Sequence, residues 1–307
     1  MYHGIINVYK ERGYTSFDVV AKLRGICGQK KIGHTGTLDP EAEGVLPVCL
    51  GKATKVCDML TDRDKEYRAV MFLGIDTDTQ DMTGEILARG EVEGITEEQI
   101  RRTLQSFVGE IEQIPPMYSA LKVNGQKLCD LARKGQVVER KARKIVIYDI
   151  SVDEIAMPRV TMTVKCSKGT YIRTLCHDIG ERLGCYGTLE YLLRTRAAGY
   201  SLEDSLRLSE IQERKDRGVL ADVIQPVENV FLSCPAFQTK NSADKMLYNG
   251  NGIRKDQLIP VAEDAVVTDR EVPETGWIRL RDSSGRFCGI YEYSAEKRCC
   301  RPVKMFL

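Results

Sequence analysis

The amino-acid sequence predicts an α+β fold, a mixed or antiparallel sheet flanked by helices, followed by a small C-terminal all-β domain. Three observations lead there. Apolar and polar residues alternate over residues 144–155 and again over 159–166, with too few residues between them for a crossover helix, so the two segments form an antiparallel hairpin. Helical periodicity runs through residues 16–27, 96–108 and 170–183. After Pro226 the pattern changes to short strands separated by turn residues.

Taken in chain order, residues 4–9 read as the first strand. The helix at 16–27 repeats Val19, Leu23 and Ile26 on one face, with Thr15 and Asp18 as a capping box and Gly28 as its stop. A turn-rich stretch over 29–44 leads into an apolar strand at 45–50 and a short helix after Gly51. Residues 67–73 read as a strand and 76–84 as a loop. The helix at 96–108 aligns Ile100, Leu104 and Phe107, and the helix at 170–183 aligns Ile172, Leu175, Ile179 and Leu183. Strands at 277–280, 287–293 and 303–306 follow, with Asp282-Ser283-Ser284-Gly285 as a hairpin turn. The domain boundary falls near residue 233, giving domains 1–233 and 234–307.

Composition narrows the class. With 42% hydrophobic and 29% charged residues, the chain has an ordinary globular balance. Its apolar runs are far shorter than the eighteen or so residues of a membrane span, and the N-terminus lacks the apolar core of a secretory signal. Eleven cysteines without a C-x-x-C spacing, and three histidines without H-x-x-x-H, argue for reduced thiols in a cytoplasmic protein and against a structural zinc site. The adjacent pair Cys299-Cys300 is the one place where oxidation chemistry stays open. The net charge of +1 conceals a separation along the chain: ten acidic and three basic residues lie within 76–112, but eight basic and two acidic within 122–144. Local basic density is what meets phosphates; a solvated helix or hairpin face is the competing account.

The stretch His34-Thr35-Gly36-Thr37-Leu38-Asp39-Pro40-Glu41-Ala42-Glu43-Gly44 sets a histidine, three carboxylates and two glycines between ordered elements, where a loop can hold a reactive group or simply turn. Gly51-Lys52 lacks the earlier glycine and the following Ser/Thr of a phosphate-binding P-loop. Cys166-Ser167-Lys168-Gly169-Thr170-Tyr171-Ile172-Arg173 marks a strand-to-helix junction, and Lys65-Glu66-Tyr67-Arg68 starts a strand with a tyrosine suited to core packing or base stacking. A serine or cysteine hydrolase is disfavoured, because no G-x-S-x-G surrounds a serine and His177 shows no partner in the sequence.

Together these segments resemble the TruB family of bacterial tRNA pseudouridine-55 synthases. The resemblance rests on His34 to Pro40 followed by Gly44-Val45-Leu46-Pro47, then Asp64-Lys65-Glu66-Tyr67, Pro116-Met117-Tyr118-Ser119-Ala120-Leu121-Lys122, and Ser167 to Arg173, and it covers residues 4–200. It implies isomerisation of a T-loop uridine of tRNA to pseudouridine, without metal or organic cofactor. Asp39 would be the catalytic carboxylate, Arg173 its ion-pair partner, holding the carboxyl pKa down, and Tyr67 the tyrosine that packs on the target base. His34 would assist extrusion of the uridine, Leu192 would line the pocket, and Lys10 would serve the substrate site. Residues 118–145 would form a thumb that closes on the RNA, with Lys122, Lys134, Arg140 and Lys141 meeting phosphates. The C-terminal strands resemble a PUA-like domain that would contact the acceptor end of the tRNA.

Three departures from the family pattern stand out: Tyr9-Lys10-Glu11 in place of Asp-Lys-Pro, Cys129 where tyrosine is common, and Gly187-Thr188 in place of Ala-His. The rival accounts are a guide-RNA-dependent pseudouridylase and a tRNA-binding or tRNA-folding protein with secondary isomerase activity. The expected partner is tRNA alone, with no membrane and a monomeric chain.

Overall fold

The computed structural model describes residues 1–261 and 271–307. The first sheet contains β1 (Gly4–Lys10), β2 (Ile32–His34), β3 (Glu43–Leu50), β4 (Lys65–Leu73), then, beyond two short hairpins, the long strands near residues 109–197. Those hairpins are β5 (Ile75–Thr77) with β6 (Ile86–Arg89), and β8 (Lys122–Val123) with β9 (Gln126–Lys127), the second lying after β7 (Gly109–Gln113). The remaining strands are β10 (Arg143–Ala156), β11 (Arg159–Cys166), β12 (Gly187–Ala197) and β13 (Tyr200–Ser201). The order is β1-β3-β12-β4-β11-β10-β7, with β2 on β3 and β13 on β12; only β3 and β12 run parallel within it.

Helix α1 (Ser16–Cys27) has the expected Thr15–Asp18 capping box and ends on Gly28 in the left-handed conformation. A 3-10 turn at Gly51–Val56 and α2 (Cys57–Thr61) form the short helix after Gly51. Then come α3 (Glu97–Gln105), α4 (Leu128–Ala132), α5 (Ile172–Leu183) and α6 (Leu208–Asp216). Helices α3 and α5 cover one face of β4, β10 and β11 through Ile100, Leu104, Leu175 and Ile179, all fully buried. Helices α1 and α6 cover β1 and β3 around Val19, Leu23 and Ile211.

One expected segment starts later, and one strand has no counterpart among the expected elements. The helix starting at residue 170 begins at Ile172, because Ser167 to Tyr171 form a turn. The central strand β12 has no clear period of two in the sequence. Bulges between Leu189 and Tyr191 and between Arg194 and Arg196 shift its register against β4, so the alternation fails where the strand is most enclosed.

The C-terminal sheet has the order β15-β14-β16-β17-β18, from β14 (Ala236–Thr239), β15 (Leu258–Pro260), β16 (Trp277–Arg281), β17 (Phe287–Ser294) and β18 (Cys299–Met305), with one short helix α7 (Asp244–Tyr248). Asp282 turns the β16–β17 hairpin, its carboxylate accepting from the backbone N–H groups of Ser284 and Arg286 at 3.0 Å. This sheet packs on the first through Phe231, Phe287 and Phe306, with ring centroids 5.5–6.5 Å apart. Arg279, fully buried, pairs with Glu228 at 3.2 Å. All eleven cysteines are free thiols; Cys300 is buried and Cys299 half-buried.

Candidate active site

Asp39 stands in a loop clamped at several points. Ser16, the first residue of α1, accepts from the Leu38 N–H at 2.8 Å, and the Leu38 side chain is buried in the core. The Thr35 hydroxyl donates to the Pro47 carbonyl at 3.1 Å. From beneath, the Lys10 ammonium donates to the carbonyls of Ala42, Pro40 and Glu11 at 2.6, 3.1 and 3.2 Å. At Gly44 (φ +104°) a Cβ would sit 2.2 Å from the Arg194 carbonyl, so only glycine lets β3 run beside β12 here.

These contacts correct one expectation. Lys10 is fully buried and its three donors are spent on backbone carbonyls, so it supports the loop and does not reach RNA. Burial pushes its pKa down to about 8, with Asp39 and Glu43 opposing the fall. Lys10→Met, which keeps bulk but leaves three buried acceptors unpaired, is expected to cost roughly 2–4 kcal/mol. Urea unfolding checks this, and an unchanged midpoint would contradict the clamp.

Arg173, in the first turn of α5, points its guanidinium at Asp39, with Nε 3.0 Å from Oδ2. Its other nitrogens donate to the Thr79 carbonyl at 2.9 Å and the Tyr118 carbonyl at 2.7 Å, and lie 3.5 Å from the Asp81 carboxylate. In the sequence, residues 76–84 read only as a loop. They supply Asp81 and the Thr79 carbonyl, which hold the arginine from behind, and no local pattern marks a carboxylate that acts through a distant helix. His177 also has partners that the sequence does not show, Asp76 and Asp178, each at 3.5 Å.

Burial raises the Asp39 carboxyl above the ordinary carboxylate range; Arg173 is the main opposing influence, and Asp81 adds to the rise. The expectation that Arg173 would hold this pKa low is therefore reversed in net direction. Desolvation at the base of the cleft outweighs one cation whose charge is shared with Asp81.

The cleft above the pair has a volume of about 510 Å³ and is lined by Tyr67, Ile145, Ile172 and Leu192 around Asp39 and Arg173. That volume is within the range of roughly 300–1,000 Å³ of ligand pockets. Tyr67 enters because β4 alternates cleanly, placing Lys65, Tyr67, Ala69, Met71 and Leu73 on the inner face. Its phenol is buried, which raises its pKa, and the charge of Arg194, its register partner on β12, opposes the rise. Arg194 itself is buried on β12 and donates to the carbonyls of Val45 at 2.7 Å, Gly36 at 3.3 Å and Thr37 at 3.5 Å. It holds the Asp39 loop from a position opposite Tyr67 in the β12–β4 register and was not among the expected site residues; its signal in the sequence is an arginine directly after Tyr191-Leu192-Leu193.

His34 ends β2 outside the cleft lining, its Nδ1 accepting from the Gly36 N–H at 3.3 Å. Lys122, Lys134 and Lys141 are exposed on the segment 118–145. Arg140 is half-buried and donates to the Pro115 carbonyl at 3.1 Å, so it braces the base of that segment.

Residues 24–172 match the N-terminal domain of the TruB family pseudouridylate synthases, and residues 173–231 match the tRNA pseudouridylate synthase B C-terminal domain. The chain is 52% identical over 314 residues to tRNA pseudouridine synthase B of Lachnoclostridium phytofermentans, covering 99% of this chain and 100% of that one. This chain belongs to the TruB family of pseudouridylate synthases. The tRNA pseudouridine synthase B of Staphylococcus saprophyticus is 44% identical with both chains fully covered. Among solved structures, the crystal structure of a Cbf5-Nop10-Gar1 complex superposes with a TM-score of 0.71 at 27% identity, covering 99% of this chain and 85% of that one.

Two departures from the TruB pattern have local explanations. Glu11, where the family carries proline, accepts from Arg207 at 2.7 Å while its carbonyl takes Lys10, so hydrogen bonds stiffen what the ring would have. Gly187 packs against α5 so closely that a Cβ would meet the Cys176 carbonyl at 2.6 Å, and Thr188 is buried beside Thr77, the hydroxyls 3.5 Å apart. Nothing in the structure explains Cys129, whose half-buried thiol sits beside Asp130.

Proposed function

We propose that this chain isomerises the T-loop uridine at position 55 of tRNA to pseudouridine. The observation that carries this reading is the Asp39–Arg173 pair at the base of a cleft walled by Tyr67 and Leu192. The bond from C1′ to N1 breaks, the base turns, C5 bonds to C1′, and the C5 proton leaves as N1 gains one. Atoms balance within the nucleotide and a solvent proton, so neither metal nor organic cofactor is called for. Asp39 acts on the sugar, as nucleophile or as the base of a glycal route, and either role needs the ionised carboxylate.

The uridine must leave its loop, at a cost of a few kcal/mol. Stacking on Tyr67, about 1–3 kcal/mol, offsets much of this. Leu192 closes the apolar wall, and His34 assists extrusion from the edge of the loop. The thumb, residues 118–145, supplies Lys122, Lys134 and Lys141 to phosphates, with Arg140 bracing its base. Domain 1–233 carries the chemistry, and 234–307 is a PUA-like RNA-binding domain that meets the acceptor end. The protein acts as a cytoplasmic monomer; among the described residues no helix is long and apolar enough to cross a membrane.

Changing Lys134 and Lys141 together to alanine is expected to weaken tRNA binding and to flatten the dependence of log Kd on log salt by about one to two units. Filter binding across a salt series checks it, and an unchanged slope would put the RNA face elsewhere. The decisive experiment uses an unmodified tRNA transcript tritiated at uridine C5. Tritium release from one T-loop uridine is expected. Tight binding without release would favour the guide-dependent or RNA-folding alternative.

A further inference from the structure

The cleft extends beyond the space a base would fill over Asp39, and its further wall differs in chemistry. Lys65 lies two residues before Tyr67 on the same face of β4, about 7 Å along the strand. It is only 8% exposed, and its ammonium donates to the carbonyls of Thr61 and Arg63, leaving a third donor. Arg143, exposed at the start of β10, lines the same cleft and forms no side-chain hydrogen bond or ion pair among the described residues. Ser119 also lines it; the residue is 4% exposed and its hydroxyl is buried without a partner.

The first turn of α5 opens there as well. Its N-cap, Tyr171, provides no side-chain cap, and no acidic residue occupies the first turn. The other charges on this wall are already matched, Lys168 with Asp62 at 2.9 Å and Lys144 with Glu110 at 2.8 Å. What remains unmatched is one buried ammonium donor, one guanidinium, one hydroxyl and a set of helix-start N–H groups. Each of these can donate and only the Ser119 hydroxyl can also accept, and buried donors are left unpaired only at a cost.

We infer that this wall is an anion subsite, which holds a backbone phosphate of the RNA strand next to the nucleotide being isomerised. The inference rests on the pseudouridine synthase reading and adds a contact that fixes the sugar over Asp39. A phosphodiester suits the donors: its two free oxygens accept from Arg143 as a fork and from Lys65 and Ser119 at shorter reach. About one residue pair of β4 separates the tyrosine from the lysine, which matches the step from a base to a neighbouring phosphate.

The test uses the full chain with tRNA transcripts carrying a single uncharged methylphosphonate at each phosphate around the target in turn. One position is expected to raise KM about tenfold with kcat little changed. Arg143→Ala should raise KM for the unmodified transcript by a similar factor and remove the penalty at that position, with Arg143→Lys recovering part of the loss. Ser119→Ala, which is nearly isosteric, should act in the same direction. If the enzyme turns over and every methylphosphonate is tolerated, or if the penalty persists undiminished in Arg143→Ala, the subsite is refuted. Absence of isomerisation from any transcript would instead refute the reaction assigned to the chain, and the same methylphosphonate series read by Kd would still report on the subsite.

Discussion

Asp39→Asn is expected to lower single-turnover isomerisation by at least about 10⁴-fold, with tRNA affinity close to that of the parent. The amide keeps the shape and can still accept from Arg173, so the loop held by Lys10, Ser16 and Thr35 stays in place. What is lost is the charge that attacks the sugar or removes its proton. On the proposed reading, affinity is carried by phosphate contacts and base stacking, which the substitution leaves untouched. Tritium release and filter binding on the same preparations separate the two. Product formed at the parental rate would remove Asp39 from the chemistry.

Arg173→Lys is expected to reduce kcat by about 10²–10³-fold and to move the acid limb of the pH–rate profile upward. Burial already raises the Asp39 carboxyl above its ordinary value, and Arg173 is the largest influence opposing it. A lysine cannot reach Asp39, Asp81 and the carbonyls of Thr79 and Tyr118 at once. With the opposition weakened, the carboxyl pKa rises further, so at any pH on the limb a smaller fraction is ionised and the rate falls. Asp81→Asn removes a negative charge that raises the Asp39 pKa, so its limb should move the opposite way, toward lower pH. The two profiles, measured as kcat/KM against pH, check the network by sign. A common direction for both variants would show that Arg173 and Asp81 act only through folding.

The same carboxyl bears on stability. A carboxyl whose folded pKa exceeds its unfolded value favours folding in its protonated form, so its contribution is fully present below the unfolded pKa. It diminishes as pH rises toward the folded value. The clamps around the loop hold the carboxyl in place as that contribution falls.

Local residues already announce much of this protein. The α1 cap at Thr15 and Asp18, the inner face of β4 and the β10–β11 hairpin are legible because each follows from spacing within a dozen or so residues. The Asp39 loop stands out for a related reason, since charged and glycine residues crowd between two apolar elements. Strand β12 was not legible: its two bulges break the alternation, and it becomes a strand because β3 and β4 close on it from both sides.

By itself, the sequence determined the family, the α+β class and the candidates Asp39, Tyr67 and Arg173, because these depend on residue identity and order. Only the tertiary structure decided that Lys10 faces inward, that Arg194, opposite Tyr67, holds the Asp39 loop, and that Asp81 shares Arg173. It also reversed the direction of the Asp39 shift. The reason is physical: desolvation and the sharing of one cation between two carboxylates depend on which groups, far apart in the chain, are packed within a few ångströms of each other.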